Sequence, residues 1–302
     1  IWPSVDAKDY DSIAWCMGQG TGYIETTNPL PDSAIGRLGP GYEFFLAAIY
    51  WVFGHRLWVV WIIQSILHTA SAFIVYRLIR WLYFGINKEK YAAIGAGFYI
   101  FFIDLLEFPA MLLTETLYLF LVLSGIYFAL SMWERPALRN VLITSALFTL
   151  ALLVRPPVTI LMLVAIGFLM SRRLWRYAAV FAITAVIILT PWTVRNYLKY
   201  QRFIVTSAIL GYDVWVGNSP ESKYIGELTA TEEIDRYTAE EGLFAANERG
   251  TREVLNLALK HPWEFIKLQL IKTSIYFSAA RPAAFWFHLS GTSQIVTIIF
   301  SS

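Results

Sequence analysis

Apolar residues run along this chain in blocks too long and continuous for the alternating faces of a soluble protein. They fall at about 57–82, 91–107, 111–133, 138–154, 157–171, 174–194, 263–280 and 284–301, each near the ~20 residues a helix needs to cross a bilayer. Several are shorter, which predicts tilted, thin or partly re-entrant spans. The run 41–53, GYEFFLAAIYWVF, is too short to span comfortably and carries Glu43, so it reads as a juxtamembrane helix lying along the interface. Ahead of it, Tyr10, Ile13, Ala14 and Met17 recur at helical spacing, the stripe of a short amphipathic helix. Asp6 as its N-cap, Asp9 in its first turn and Gly18 or Gly20 at its end complete that helix.

One sizeable polar stretch, 195–262, interrupts the blocks. It opens on a β-like FIVTSAI and a Gly-punctuated turn, GYDVWVGNSP, and then becomes helix-forming up to Pro262. It is too short and too poor in apolar periodicity for an independent enzyme domain, so it is expected to cap a membrane-embedded site. The plan that follows has four parts. Residues 1–56 form a first outer loop with juxtamembrane helices, and 57–194 a bundle of about six spans. Residues 195–262 form the outer cap and 263–302 the C-terminal spans. The chain opens on Ile1 and runs off in an apolar tail at Ser302, so trimming at both ends is expected.

Composition supports this pattern: 57% of residues are hydrophobic and only 15% charged, against about a quarter charged in ordinary soluble domains. With a mean hydropathy of +0.52, the expected class is an all-α polytopic membrane protein. The net charge of +2 says little about partners, and no nucleic acid is expected among them. Where the charges lie says more. Arg77, Arg80, Lys88, Lys90, Arg135, Arg139, Arg172, Arg173, Arg176 and Arg281 fall on one side of the alternating spans, which the positive-inside tendency makes cytoplasmic. Residues 1–56, the turn near 107–109, the Arg155-Pro156-Pro157 turn and 195–262 fall on the other. Cys16 is the single cysteine, so an intrachain disulfide and a Cys-based zinc site are excluded.

The acids of the first outer stretch, Asp6, Asp9 and Asp11, admit three readings: helix-end capping, a metal site, or a catalytic carboxylate at a membrane surface. The run lacks the ligand pattern of a known calcium loop. His55, His68, His261 and His288 are scattered without paired ligand spacing, so no metal site is assigned, although an assisting divalent cation stays open. GQGTGY, residues 18–23, has neither the preceding strand nor the phosphate-binding helix of a nucleotide loop, and turn chemistry explains it. Glu115 lies about one turn inside a span, where a carboxylate is expensive and faces a polar cavity or a partner. Arg37, in IGRLGPGYEFF, is either a headgroup-boundary arginine or a phosphate ligand, a task that suits the guanidinium fork. Arg155 and Arg195 stand on the side where the topology rule disfavours arginine. Two such exceptions opposite an acidic loop suit anion binding better than snorkelling.

These segments resemble a known family. DAKDYDSIAWCMGQGTGY followed by IGRLGPGYEFFLAAIYWVFG, then LLTETLYLFL, ALLVRPP and ILTPWTVRNYLKYQRFIVTSAILGYDVWVGNSP, are similar to bacterial membrane glycosyltransferases of GT-C type. That group is related to protein O-mannosyltransferases and aminoarabinose transferases, and the likeness runs over roughly 4–280. It implies a GT-C-type helical bundle with an outer loop layer, in a bacterial cytoplasmic membrane with a periplasmic active site. A sugar would pass from a polyprenyl-phosphate donor to the hydroxyl of a lipid, glycan or protein acceptor, with inversion. On the matching positions Asp6 becomes the general base, Arg37 contacts the carrier phosphate and Glu115 is a second catalytic acid. Beside that resemblance, Arg155 and Arg195 are expected as further phosphate ligands, with Asp9, Tyr10 and Tyr42 in support. Leu38 and Gly39 stand where the commoner pattern places a proline after the basic residue.

The chemistry is consistent with those roles. A carboxylate that takes the hydroxyl proton in the transition state supplies about 10²–10⁴-fold. Fixed arginines at a partly dry rim stabilise charge developing on the departing phosphate. Two other classes compete. A transporter or flippase of lipid-linked saccharides would also line its path with acids and arginines, but would favour internal repeats and broken helices in matching halves. A non-catalytic assembly subunit would use the acidic loop as a partner surface.

Overall fold

An apolar block in a bilayer must satisfy its own backbone hydrogen bonds, and a helix does so within one segment. The computed structural model describes residues 6–27, 33–36, 39–219 and 229–276, and its described regular structure is helical. It divides into two compact units, 1–207 and 208–302.

In the first unit, α1 (Asp6–Gly18) packs on α2 (Gly41–Phe53), and α3 (Leu57–Leu82), α4 (Lys88–Phe101) and α5 (Ile103–Glu107) follow. Then come α6 (Glu115–Glu134), α7 (Leu138–Val154), α8 (Thr159–Ser171) and α9 (Trp175–Tyr200). Tyr42, Leu46, Val60, Met132, Val141, Phe148, Leu169 and Phe181 are buried at the centre of the bundle. Ile62, Ile66 and Phe73 of α3, with Ile183, Val186 and Ile187 of α9, point outward and are exposed. Outward apolar surface on this scale marks a face built for lipid. Helices α3, α6 and α9 are long and apolar enough to cross a membrane, and α4 with the segment after it makes a fourth if that pair, bent by 57°, is one broken span. Helices α2, α7 and α8 are shorter apolar helices.

Spans expected at 57–82 and 138–154 coincide with α3 and α7. The run expected at 91–107 is broken at Phe102, and α9 continues through Pro191 to Tyr200. Residues 284–301 and the end of 263–280 lie outside the described residues. Basic side chains gather at one end of the bundle. There the Trp81 indole meets Glu134, Arg77 donates to the Tyr127 hydroxyl at 3.0 Å, and Trp133 stacks on Phe168 at 4.2 Å. Arg80, Arg135 and Arg172 stand at or next to the helix ends α3, α6 and α8 there.

The second unit holds α10 (Leu210–Asn218), α11 (Thr229–Glu241), α12 (Leu243–Lys260) and α13 (Pro262–Tyr276) around Trp215, Ile234, Tyr237, Ala246 and Val254. Arg249 lies 3.5 Å over the Tyr237 ring and pairs with Glu241 at 2.7 Å and Glu253 at 3.0 Å. Two expectations are corrected here. FIVTSAI is not a strand, because a lone β-prone segment without a neighbouring edge has nothing to pair with. GYDVWVGN belongs to helix α10 rather than a turn. A Cβ at Gly211 would stand 1.9 Å from the Asn247 carbonyl oxygen, so glycine marks a close helix–helix approach.

Candidate active site

Tyr10 is the centre from which the site is best built. Helix α1 buries Ala7, Tyr10, Ile13 and Ala14 against α2, and the Tyr10 ring meets Tyr42 edge-on at 5.5 Å. Burial first, then the negative fields of Glu43, Asp6 and Glu115, push the Tyr10 hydroxyl well above its ordinary ionisation, while Arg155 opposes them. The charges that act on this phenol thus come from four separate segments. Asp6 stands in the first turn of α1, one turn before Tyr10 and half-buried.

Glu115 is delivered by a chain of buried polar contacts. The Tyr42 hydroxyl donates to Gln64 Oε1 at 2.8 Å, and Gln64 Nε2 donates to the carbonyls of Pro109 at 3.0 Å and Met111 at 2.7 Å. Gln64 itself is fully buried, so its amide ties α3 and Tyr42 to the turn that ends at Glu115, the first residue of α6. Glu115 Oε1 then accepts from Arg155 Nη1 at 2.7 Å.

Arg155 follows the last turn of α7, and the Gly39-Pro40-Gly41 turn explains its position. A Cβ at Gly39 would meet the Leu153 carbonyl oxygen at 2.2 Å, and one at Gly41 would meet the Leu153 carbonyl carbon at 2.8 Å. Bare backbone lets the start of α2 press on the two residues just before Arg155.

Arg195 forms a second corner. Its guanidinium lies over the rings of Trp192 at 5.0 Å, Tyr23 at 5.4 Å and Tyr200 at 5.5 Å, and donates to Asn196 Oδ1 at 2.8 Å. Asn196 is fully buried and held by the Ile204 carbonyl at 3.1 Å. Among the described residues Arg195 makes no ion pair. It borders a cavity of about 400 Å³, lined also by Met17, Tyr23, Phe44, Leu153 and Trp192, an apolar and aromatic wall with one cation at its edge.

The acids differ in how they are occupied. Asp9 accepts from the Thr27 hydroxyl at 2.6 Å. Asp11 accepts from the Tyr50 hydroxyl at 2.5 Å and pairs with His55 Nε2 at 2.8 Å, so it ties α1 to the end of α2 and is no surface acid. Glu43, expected at a membrane interface, is fully buried and accepts from the Tyr23 hydroxyl at 3.1 Å. Asp6 makes no hydrogen bond or ion pair with the described residues. Arg37 lies outside them. Among the described residues no three His, Cys, Asp or Glu side chains gather as metal ligands. Gln64, Glu43 and Tyr23 were not singled out from sequence; an amide and a carboxylate inside strongly apolar helices are the signals that point to the first two.

No curated protein and no solved structure matches the chain. A family model does match, over residues 37–195, which takes in Tyr42, Glu43, Gln64, Glu115, Arg155 and Arg195 and leaves Asp6, Tyr10 and Tyr23 ahead of it. That match spans just over half of the 302 residues, and the chain belongs to the dolichyl-phosphate-mannose-protein mannosyltransferase family of GT-C-type membrane glycosyltransferases.

Proposed function

We propose that this membrane glycosyltransferase moves a sugar from a polyprenyl-phosphate donor to an acceptor hydroxyl by single displacement with inversion. Asp6 is the general base. The observation that carries this assignment is the contrast among the acids around Tyr10 and its helix. Asp9, Asp11, Glu43 and Glu115 each already accept from a named partner, while Asp6 is half-buried and makes no hydrogen bond with the described residues. A base must be within reach of the proton it takes, and Asp6 is the carboxylate left open to an incoming hydroxyl.

In the displacement, the Asp6 carboxylate takes the acceptor proton and the acceptor oxygen forms the new bond to the anomeric carbon. The bond from that carbon to the phosphate oxygen breaks, and the carrier phosphate leaves with the electron pair. Arg195 receives the growing negative charge, with Arg37 as a further phosphate ligand. Arg155 holds Glu115 oriented, and Glu115 accepts a hydrogen bond from the acceptor. The basic residues at the far end of the bundle support a site on the outer, periplasmic face of a bacterial inner membrane. The acceptor is a glycan, lipid or protein hydroxyl.

Asp6→Asn tests the base directly. It keeps size and polarity, so expression and donor binding persist while kcat for transfer falls about 10²–10⁴-fold. Turnover within threefold of wild type, measured by release of sugar from a polyprenyl-phosphate donor, would sink the assignment. A transporter reading predicts movement of intact lipid-linked sugar across liposomes with no release at all, and the same assay separates the two.

A further inference from the structure

Glu43 is a buried carboxylate that the displacement does not use. It sits in the first turn of α2 at 0% exposure, so it cannot meet an acceptor entering from solvent and is not a second base. Holding a carboxylate in such a place is costly unless its oxygens are satisfied. One of the groups that satisfies it is the Tyr23 hydroxyl, at 3.1 Å from Oε1.

Tyr23 comes from the loop after α1, where Gly20 and Gly22 take left-handed backbone conformations and no regular element holds the side chain in place. The Tyr23 hydroxyl makes its one hydrogen bond among the described residues to Glu43. Its ring does different work on the other side. It stands edge-on to Trp192 at 4.8 Å, lies 5.4 Å below the Arg195 guanidinium, and lines the cavity that Arg195 borders. The phenol must stay protonated to donate. Burial first, and the Glu43 charge next, push its ionisation well above the ordinary value.

We infer that Glu43 is a positioning residue for donor binding: through Tyr23 it fixes the aromatic wall that aims Arg195 at the carrier phosphate. This rests on the reading that Arg195 receives that phosphate. It separates two buried features of α2 by purpose, since Tyr42 faces the Glu115 corner and Glu43 faces the Arg195 corner.

The test uses the full-length protein in nanodiscs, with farnesyl phosphate as the binding probe in calorimetry and a polyprenyl-phosphate sugar for kinetics. Tyr23→Phe removes the one hydrogen bond and little else. Farnesyl phosphate Kd and donor KM should rise about five- to tenfold, in line with loss of one charge-assisted bond, with kcat at saturating donor within about twofold. Glu43→Leu should match it, and Glu43→Gln, which keeps an acceptor for the phenol, should recover most of the affinity that Glu43→Leu loses. The double variant Glu43→Leu/Tyr23→Phe should be no weaker than the worse single one, since both cut the same link. If Glu43→Leu does not fold, Tyr23→Phe and Glu43→Gln still decide. Wild-type affinity in Tyr23→Phe, or a fall in kcat with Kd unchanged, overturns the inference alone. A wild-type protein that does not bind farnesyl phosphate overturns the donor reading beneath it.

Discussion

At Arg155 the guanidinium meets a carboxylate 2.7 Å away, whereas at Arg195 it meets one amide oxygen and three aromatic rings. Both arginines lie close to prolines and from sequence they read alike, yet Arg155 caps α7 ahead of Pro156 while Arg195 lies inside α9, four residues after Pro191. The surroundings divide them. A guanidinium already balanced by a carboxylate gains little from a second anion, while one held by rings and a neutral amide keeps its charge available and partly desolvated. Arg155 is therefore paired with an acid, and in the proposed reading Arg195 is the one that receives the donor phosphate. Burial first and the Glu43 charge next push up both Tyr10 and Tyr23, with Arg155 opposing at Tyr10 and Arg195 opposing at Tyr23.

The harshest way to break the comparison is to remove the backbone contact that sets one corner. Gly39→Ala places a methyl 2.2 Å from the Leu153 carbonyl oxygen, where neither partner is a flexible side-chain end. A stability loss of about 3 kcal/mol is expected, read as a lowered Tm in detergent, together with loss of transfer. Next, Arg155→Met should cut kcat about 100-fold, equivalent to about 2.7 kcal/mol, because Glu115 is left without its partner. Donor KM should stay within threefold. Arg195→Met should instead raise donor KM about tenfold, or about 1.4 kcal/mol, with a further drop in kcat as charge grows on the leaving phosphate. Equal KM changes in the two variants, measured by steady-state kinetics, would erase the distinction.

The smallest effect is a shared one. Both tyrosines have ionisations raised above the ordinary 10.0 in the folded protein. Their protonated form is thus favoured by folding. That contribution is fully present below pH 10 and is lost above it, as the unfolded chain releases protons that the folded one keeps. Stability should be level up to about pH 10 and then fall as the pH rises, with each tyrosine contributing a share of the slope. Thermal melts between about pH 9 and 11.5 follow the slope, and Tyr10→Phe or Tyr23→Phe should each remove one share. A slope unchanged by either substitution would place the titration elsewhere.

Hydropathy made α3 and α7 readable to the residue, because a continuous apolar run closes its backbone hydrogen bonds within one helix. The α1 stripe was equally legible, since helical spacing is local information. What escaped were features set by chain segments far apart. Asp11 looks like a solvated acid until Tyr50 and His55, some forty positions on, close over it. Glu43 looks like the mark of an interfacial helix until a loop twenty residues earlier covers it with Tyr23. The glycines of GYDVWVGN look like turn residues, yet Gly211 serves a tight crossing with α12 whose partner, Asn247, lies in another element. The order Asp6, Arg37, Glu115, Arg155, Arg195 could be read along the chain. The division of labour among the arginines could not, because it depends on which groups surround each one.

Gln64 carries a practical consequence. With both amide donors and the acceptor engaged, it tolerates no replacement that keeps the set. Changing it is expected to release the turn that leads to Glu115. A screen scored on growth or turnover alone will rank Gln64 among the catalytic residues. Only a parallel measure of folded protein at the membrane will show that what failed was the scaffold.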